Sequence, residues 1–195
     1  MRTAFAMLRG AVDAKDVLDP DLIARIRDGE SSALGLLFDR YDRDIRRLVS
    51  RLGVQPADVD DVVQATFLDV LAAAGRYDGR ASAKGWLMGL AVIHVRRHRR
   101  SLSRLAARIA AWGREPRSSP ATPEESAATR ERTERARRAL DGLSEKKREV
   151  LVLVTVEGLS GEEVAGLLGI PVATVWTRLH HARRELQASA IGRDK

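Results

Sequence analysis

The chain of 195 residues has no cysteine, which removes disulfide frameworks, thiolate metal sites and cysteine nucleophiles together. Nor does it have an apolar run approaching the roughly 20 residues that a membrane span requires, so no membrane insertion is expected. The apolar cluster from Phe5 to Leu8, set between Arg2 and Arg9, is too short to read as a secretory leader. Strand alternation and internal repeats are also missing, and no glycine-rich phosphate loop follows a strand. No serine stands with a histidine in an arrangement suited to nucleophilic catalysis. An enzyme is therefore not expected, and neither a metal nor a cofactor.

Positive charge is in excess, with 34 Lys and Arg against 27 Asp and Glu and a formal net charge of +7. Such a balance favours a polyanionic partner, with nucleic acid first and an anionic surface second. The cysteine-free composition suits a reducing cytoplasm.

Helical periodicity runs through most of the chain. Asp19 and Pro20 mark a first helix start, with a side-chain oxygen for the cap and a pre-set φ, and that helix ends near Gly29. Leu34, Leu37, Phe38, Tyr41, Ile45, Leu48, Val49 and Leu52 then recur on one helical face. Pro56 opens a third helix whose buried stripe is Val59, Val62, Val63, Thr66, Phe67, Val70 and Leu71, leaving Asp58, Asp61, Gln64 and Asp69 outward. After a turn at Tyr77 to Arg80, Ser82 is the expected cap of a fourth helix carrying Trp86, Leu87, Leu90, Ala91, His94 and Val95, and basic at Arg96, Arg97, Arg99 and Arg100. Pro116, Pro120 and Pro123 argue against continuous helix from about Ser103 to Ser126. Helix returns from about Ala127 to about Gln187, broken at Gly142, Gly158 and Gly169.

The fold expected is all-α, with an unassigned extension over residues 1–18, a helical domain over 19–104, a flexible linker over 105–126 and a second helical domain over 127–190. In the second domain Ser160 and Glu163 form a capping box ahead of a short helix that ends at Gly169. Pro171 begins a longer helix with Val175, Leu179, Ala182 and Leu186 turned to the core. Two helices on a tight glycine-containing turn, the second rich in Arg and His, make a helix-turn-helix. Thr174, Thr177, Arg178 and His181 then fall on another face, able to reach a groove together, with Trp176, His180 and Arg183 off it.

Each polar cluster also has a plainer reading. Asp58, Asp60 and Asp61 suit the first turn of a helix, where they oppose the macrodipole. His94 and His98 have the spacing of a metal-binding pair but no third ligand, which places His94 at the core edge and His98 on the basic surface. His180 and His181 are adjacent and point apart. The arginines from Arg96 to Arg108 have almost no acidic residue among them, and a unipolar stripe repels itself unless an anion such as DNA phosphate compensates. Tyr77 is the better candidate to approach an unstacked base, with Trp86 a core anchor.

Several segments resemble the extracytoplasmic-function group of bacterial sigma factors. Residues Leu143 to Leu151, Val156 to Ser160, Val164 with Ala165, Gly169 to Val175, and Thr177 to His180 with Ala182 and Arg183 look like its promoter-binding C-terminal domain. Asp58 to Leu68 resembles the polymerase-binding helix of its N-terminal domain, and Trp86 to Ala91 followed by arginines resembles its strand-opening helix. The resemblance implies a factor that binds core RNA polymerase, at the beta-prime clamp helices and the beta subunit, and directs it to a two-part promoter. It implies clamp binding for Asp58, Asp60, Asp61, Gln64 and Phe67, and strand opening for Tyr77, Arg80, Arg96, Arg97, Arg99 and Arg100. Upstream promoter contacts would fall to Thr174, Thr177, Arg178, His181 and Arg184, and an anti-sigma protein is a further partner of such factors. The chain departs from the pattern at Ile93, where Asn is usual, at Trp176, where Lys or Arg is common, and at His181, where Arg is usual. A conventional helix-turn-helix regulator without strand opening, and a protein-interaction adaptor, are the rival readings.

Overall fold

A computed structural model describes residues 18–79, 82–110 and 127–191. Among these residues there are eight α-helices and no strand, in agreement with the all-α expectation. They are α1 (Asp19–Arg27), α2 (Ser31–Arg51), α3 (Pro56–Ala73), α4 (Ala83–Ala110), α5 (Ala127–Asp141), α6 (Glu145–Leu151), α7 (Gly161–Leu168) and α8 (Val172–Ile191). The chain divides into two compact units, α1 to α4 belonging essentially to the first and α5 to α8 to the second. The expected N-terminal extension, apart from Leu18, and most of the expected linker lie outside the described residues.

In the first unit the apolar stripes converge on one core. Leu22, Ile23 and Ile26 of α1 are buried together with Leu34, Leu37, Phe38, Ile45, Leu48 and Val49 of α2. From α3 come Val62, Val63, Phe67 and Val70, and from α4 Leu87, Met88, Ala91 and Val95. The Phe38 and Phe67 rings meet edge to face with centroids 4.9 Å apart, a favoured aromatic geometry. Thr66 is buried without penalty because its hydroxyl donates to the Val62 carbonyl at 2.7 Å.

Two local expectations are corrected. Asp19 does not cap α1: it is the first helical residue, after an extended Leu18, and its carboxylate instead accepts from Arg40 and from the Tyr41 hydroxyl of α2. In the first turn it still opposes the helix dipole. The linker expected to begin at residue 105 is still helical there, because α4 continues to Ala110. No proline or glycine occurs from Ser101 to Ala110, and its Leu, Arg and Ala content favours helix. At the other end of α4 the expected cap forms, Ser82 accepting from the Gly85 amide at 3.0 Å.

The second unit is assembled around α8. α6 runs into a π-helical turn at Val152–Val156, where β-branched residues weaken the preference for a tight α-turn. Val150 to Leu153 are buried there. The capping box at the start of α7 is complete, with Glu163 amide donating to Ser160 Oγ at 3.2 Å and Ser160 amide donating to Glu163 Oε2 at 2.8 Å. Gly169 ends α7 at φ 65° and ψ 41°, the left-handed conformation that glycine adopts without a Cβ clash. Pro171 then leads into α8, whose Val175, Leu179 and Ala182 are buried as expected, as are Val164, Ala165 and Leu168 of α7, while Leu186 is half-buried.

Candidate nucleic-acid interface

On α3 the five residues assigned to polymerase binding separate into three environments. Asp60, Asp61 and Gln64 are exposed on one face. Asp58 is half-buried, with Oδ2 3.3 Å from His98 Nε2 of α4. Phe67 is fully buried, so it shapes the core beneath that face and offers no surface to a partner. Asp60 is also held, by Arg46 of α2, which reaches Asp42 as well at 2.8 Å. Leu68 and Leu71 extend the exposed strip with 49% and 48% of their surface accessible. Leu71, expected inside, lies at the flank of the stripe, which continues into the core through Val70, Ala73 and Ala74.

The histidines of α4 are more constrained than the sequence suggests. His94 Nε2 lies 3.1 Å from Asp69 Oδ2, so Asp69 does not simply face outward and His94 is tied at the core edge. His98 faces Asp58 rather than merely joining the basic surface. Each histidine has its own carboxylate, and no group of three or more His, Cys, Asp or Glu among the described residues could hold a metal.

The basic run of α4 divides by helical phase. Arg97, Arg100 and Arg104 are exposed, whereas Arg96 and Arg99 are half-buried. Spacings of three and four place the exposed trio on one face, and Ile93, 37% exposed, heads that face. α4 contains no acidic residue. Near its start Tyr77 and Trp86 pair their rings at 5.2 Å and 53°. Burial, with the nearby charges of Asp19 and Asp78, raises the Tyr77 phenol above its ordinary pKa, so it is a neutral hydroxyl at physiological pH. Arg80 lies outside the described residues.

On α8 the exposed face differs from the one expected. Thr177, His181 and Arg184 are exposed, but Thr174 and Arg178 are half-buried on its flank. Trp176 and His180, placed off the reading face by sequence, are exposed, as is Ala173, and with Thr177 and Arg184 they follow spacings of three and four. The face is therefore centred on Thr177 and His180. Thr177 Oγ1 donates to the Ala173 carbonyl at 2.9 Å, which leaves the oxygen as an acceptor toward solvent. The His180 and His181 rings do not point apart but meet edge to face at 5.7 Å. Trp176 touches α7: a Cβ added to Gly161 would fall 2.6 Å from its Cζ2 and 2.9 Å from its Cε2. Only a residue without Cβ fits beneath the indole, a relation invisible in local sequence patterns.

These two units, one with a basic helix beside a tyrosine–tryptophan pair and one with a capped helix-turn-helix, define a helical DNA-binding protein of transcription. Residues 37–105 match Sigma-70 region 2, and residues 133–186 match Sigma-70, region 4. RNA polymerase sigma factor CarQ of Myxococcus xanthus is 32% identical over 169 residues, covering 84% of this chain and 92% of that protein. ECF RNA polymerase sigma-E factor of Escherichia coli K12 is 28% identical over 191 residues, covering 89% and 94%. The solved structure of CnrH in complex with the cytosolic domain of CnrY superposes with a TM-score of 0.67 at 28% identity, covering 92% of this chain and 99% of that one. The chain belongs to the extracytoplasmic-function group of the sigma-70 family. It is a transcription initiation factor, not an enzyme, whose partners are core RNA polymerase and promoter DNA. No described helix is long and apolar enough to cross a membrane.

Proposed function

We propose that this sigma factor divides promoter use among three helices, in the cytoplasm. The outward face of α3, with Asp60, Asp61 and Gln64, docks on the clamp helices of the polymerase beta-prime subunit, and a second contact is made with the beta subunit. α4 engages the downstream promoter element: its arginines hold phosphate while Tyr77 receives an unstacked base during strand opening. α8 reads the upstream element through Thr177, His180, His181 and Arg184, with Arg178 reaching from the flank. The working domains are residues 19–110, longer than read from sequence because the helix runs to Ala110, and residues 127–190.

The observation that carries this reading is the exposed trio Arg97, Arg100 and Arg104, aligned on a helix without acidic residues. Phosphates along a nucleic-acid backbone neutralise such a row, and removing an arginine that neutralises one of them weakens the salt dependence of binding. A protein partner of the anti-sigma kind also belongs to the proposal, by likeness to CnrH, which was solved with the cytosolic domain of CnrY.

The decisive test is transcription with purified core polymerase on a cognate promoter, with permanganate probing of unpaired thymines at the start site. Factor-dependent transcripts with reactive thymines are expected. DNA binding without either result would make the chain an operator-binding regulator, and polymerase binding without DNA selectivity would make it an adaptor.

A further inference from the structure

Trp176 is 49% exposed on the recognition helix, at the edge of the face that carries Ala173, Thr177 and His180. A single exposed hydrophobic residue is ordinary on a protein surface. This one is unusual in how it is held. The Cζ2 and Cε2 edge of the indole lies over Gly161 at the first position of α7, so close that a Cβ there would stand 2.6 Å and 2.9 Å away, with Nε1 at 3.3 Å. One edge of the ring is thus fixed at the seam of the helix-turn-helix, and the remainder is directed to solvent.

A ring fixed in this way loses little conformational freedom on binding, which lowers the entropic cost of a contact made with it. Its neighbours on the face are a threonine hydroxyl, an imidazole and, two turns on, the guanidinium of Arg184. These match hydrogen-bonding groups or phosphates. The indole presents carbon instead, and in the major groove the base edge that matches carbon is the C5-methyl group of thymine.

Resting on the proposed reading of the upstream element by α8, we infer that Trp176 is a specificity-determining residue whose indole packs on a thymine methyl at one fixed position of that element. An arginine or lysine at this place would contact phosphate or guanine. Tryptophan changes the preferred base there, and Gly161 is the residue that lets it stand in register.

The experiment starts from duplexes selected by the holoenzyme from a pool randomised over the upstream element. Each thymine of a selected duplex is then replaced singly by deoxyuridine, which removes the methyl group and nothing else. With wild-type holoenzyme, one position is expected to weaken binding about fourfold, as the loss of one buried methyl requires. With Trp176→Ala holoenzyme the thymine and deoxyuridine duplexes should bind equally at that position, while Trp176→Phe should keep part of the difference. The inference is overturned if no thymine is methyl-sensitive in the wild type, or if the sensitivity persists in Trp176→Ala. It is overturned also if Trp176→Ala selects unchanged sequences but binds core polymerase more weakly, which would assign the indole to the polymerase. Absence of any upstream selectivity in the wild type would remove the proposed function of α8 itself, a result distinct from selectivity without a methyl-sensitive base.

Discussion

Replacing Gly161 by Ala should destabilise the second unit in the native chain and stabilise it when Trp176 is absent. The new Cβ would stand 2.6 Å from Cζ2 and 2.9 Å from Cε2 of the indole, distances at which the ring must move by about 1 Å to reach ordinary contact. Overpacking of this kind costs about 1–3 kcal/mol. Against it stands the better helix propensity of alanine, up to about 1 kcal/mol in a helix interior and less in the first turn. The net expectation is a loss of about 1 kcal/mol in the wild-type background. In Trp176→Ala the clash is gone, and Gly161→Ala should be neutral or stabilising by a few tenths of a kcal/mol. The coupling energy is then about 1–2 kcal/mol, within the range for residues in contact. Hydrogen–deuterium exchange of the α7 and α8 peptides along a urea series reads the second unit without interference from the first. The same change in stability for Gly161→Ala in both backgrounds would falsify the claim that the indole is seated on Gly161.

Ser160→Ala removes the side-chain half of the capping box and should cost about 1 kcal/mol in the same exchange measurement. An effect below about 0.3 kcal/mol would mean that water replaces the cap. Asp61→Lys should weaken the titration of core polymerase while changing stability by no more than about 0.5 kcal/mol, as for an exposed site. Asp60→Lys should perturb the fold more, because it also places a cation beside Arg46; equal polymerase affinity for wild type and Asp61→Lys would exclude α3 as the docking helix. Arg97→Ala with Arg100→Ala should reduce the slope of log affinity against log salt by roughly one unit for each phosphate no longer neutralised, and an unchanged slope would leave these arginines as a solvated face. In a spectrophotometric titration both tyrosines should remain mostly un-ionised at pH 10. Burial, then the hydrogen bond to Asp19, raises Tyr41, and burial, then the charges of Asp19 and Asp78, raises Tyr77. Since their folded pKa values lie above the unfolded one, this stabilisation is complete below about pH 10 and is lost as pH rises through the folded values. Half-ionised phenolate absorbance at pH 10 in the native protein would contradict it.

What was legible in the sequence is what depends on neighbours along the chain. The capping box at Ser160 and Glu163, the left-handed Gly169 and the start of α8 after Pro171 are each set by a few adjacent residues, and all are found. The stripes of α2 and α3 were readable because burial repeats with the helical turn, which also places Phe67 in the core. Its assignment to a partner surface failed for that reason: it came from the pattern of a motif, and a motif does not say which of its members face out. Leu71 fails in the opposite sense. It stands four residues after Phe67, yet the buried stripe runs through Val70, Ala73 and Ala74, which leaves Leu71 on its flank. The pairings that local pattern does not reveal, His98 to Asp58, His94 to Asp69 and Trp176 over Gly161, all join residues on different helices. Each depends on the angle and rotation of a helix pair, which sequence periodicity leaves open by a fraction of a turn. That fraction is enough to move Arg178 from the centre of the α8 face to its flank and to bring Trp176 to the edge of that face. Base reading is therefore the part of this protein's function least legible from its sequence, because a rotation too small to disturb the core decides which side chain meets the groove.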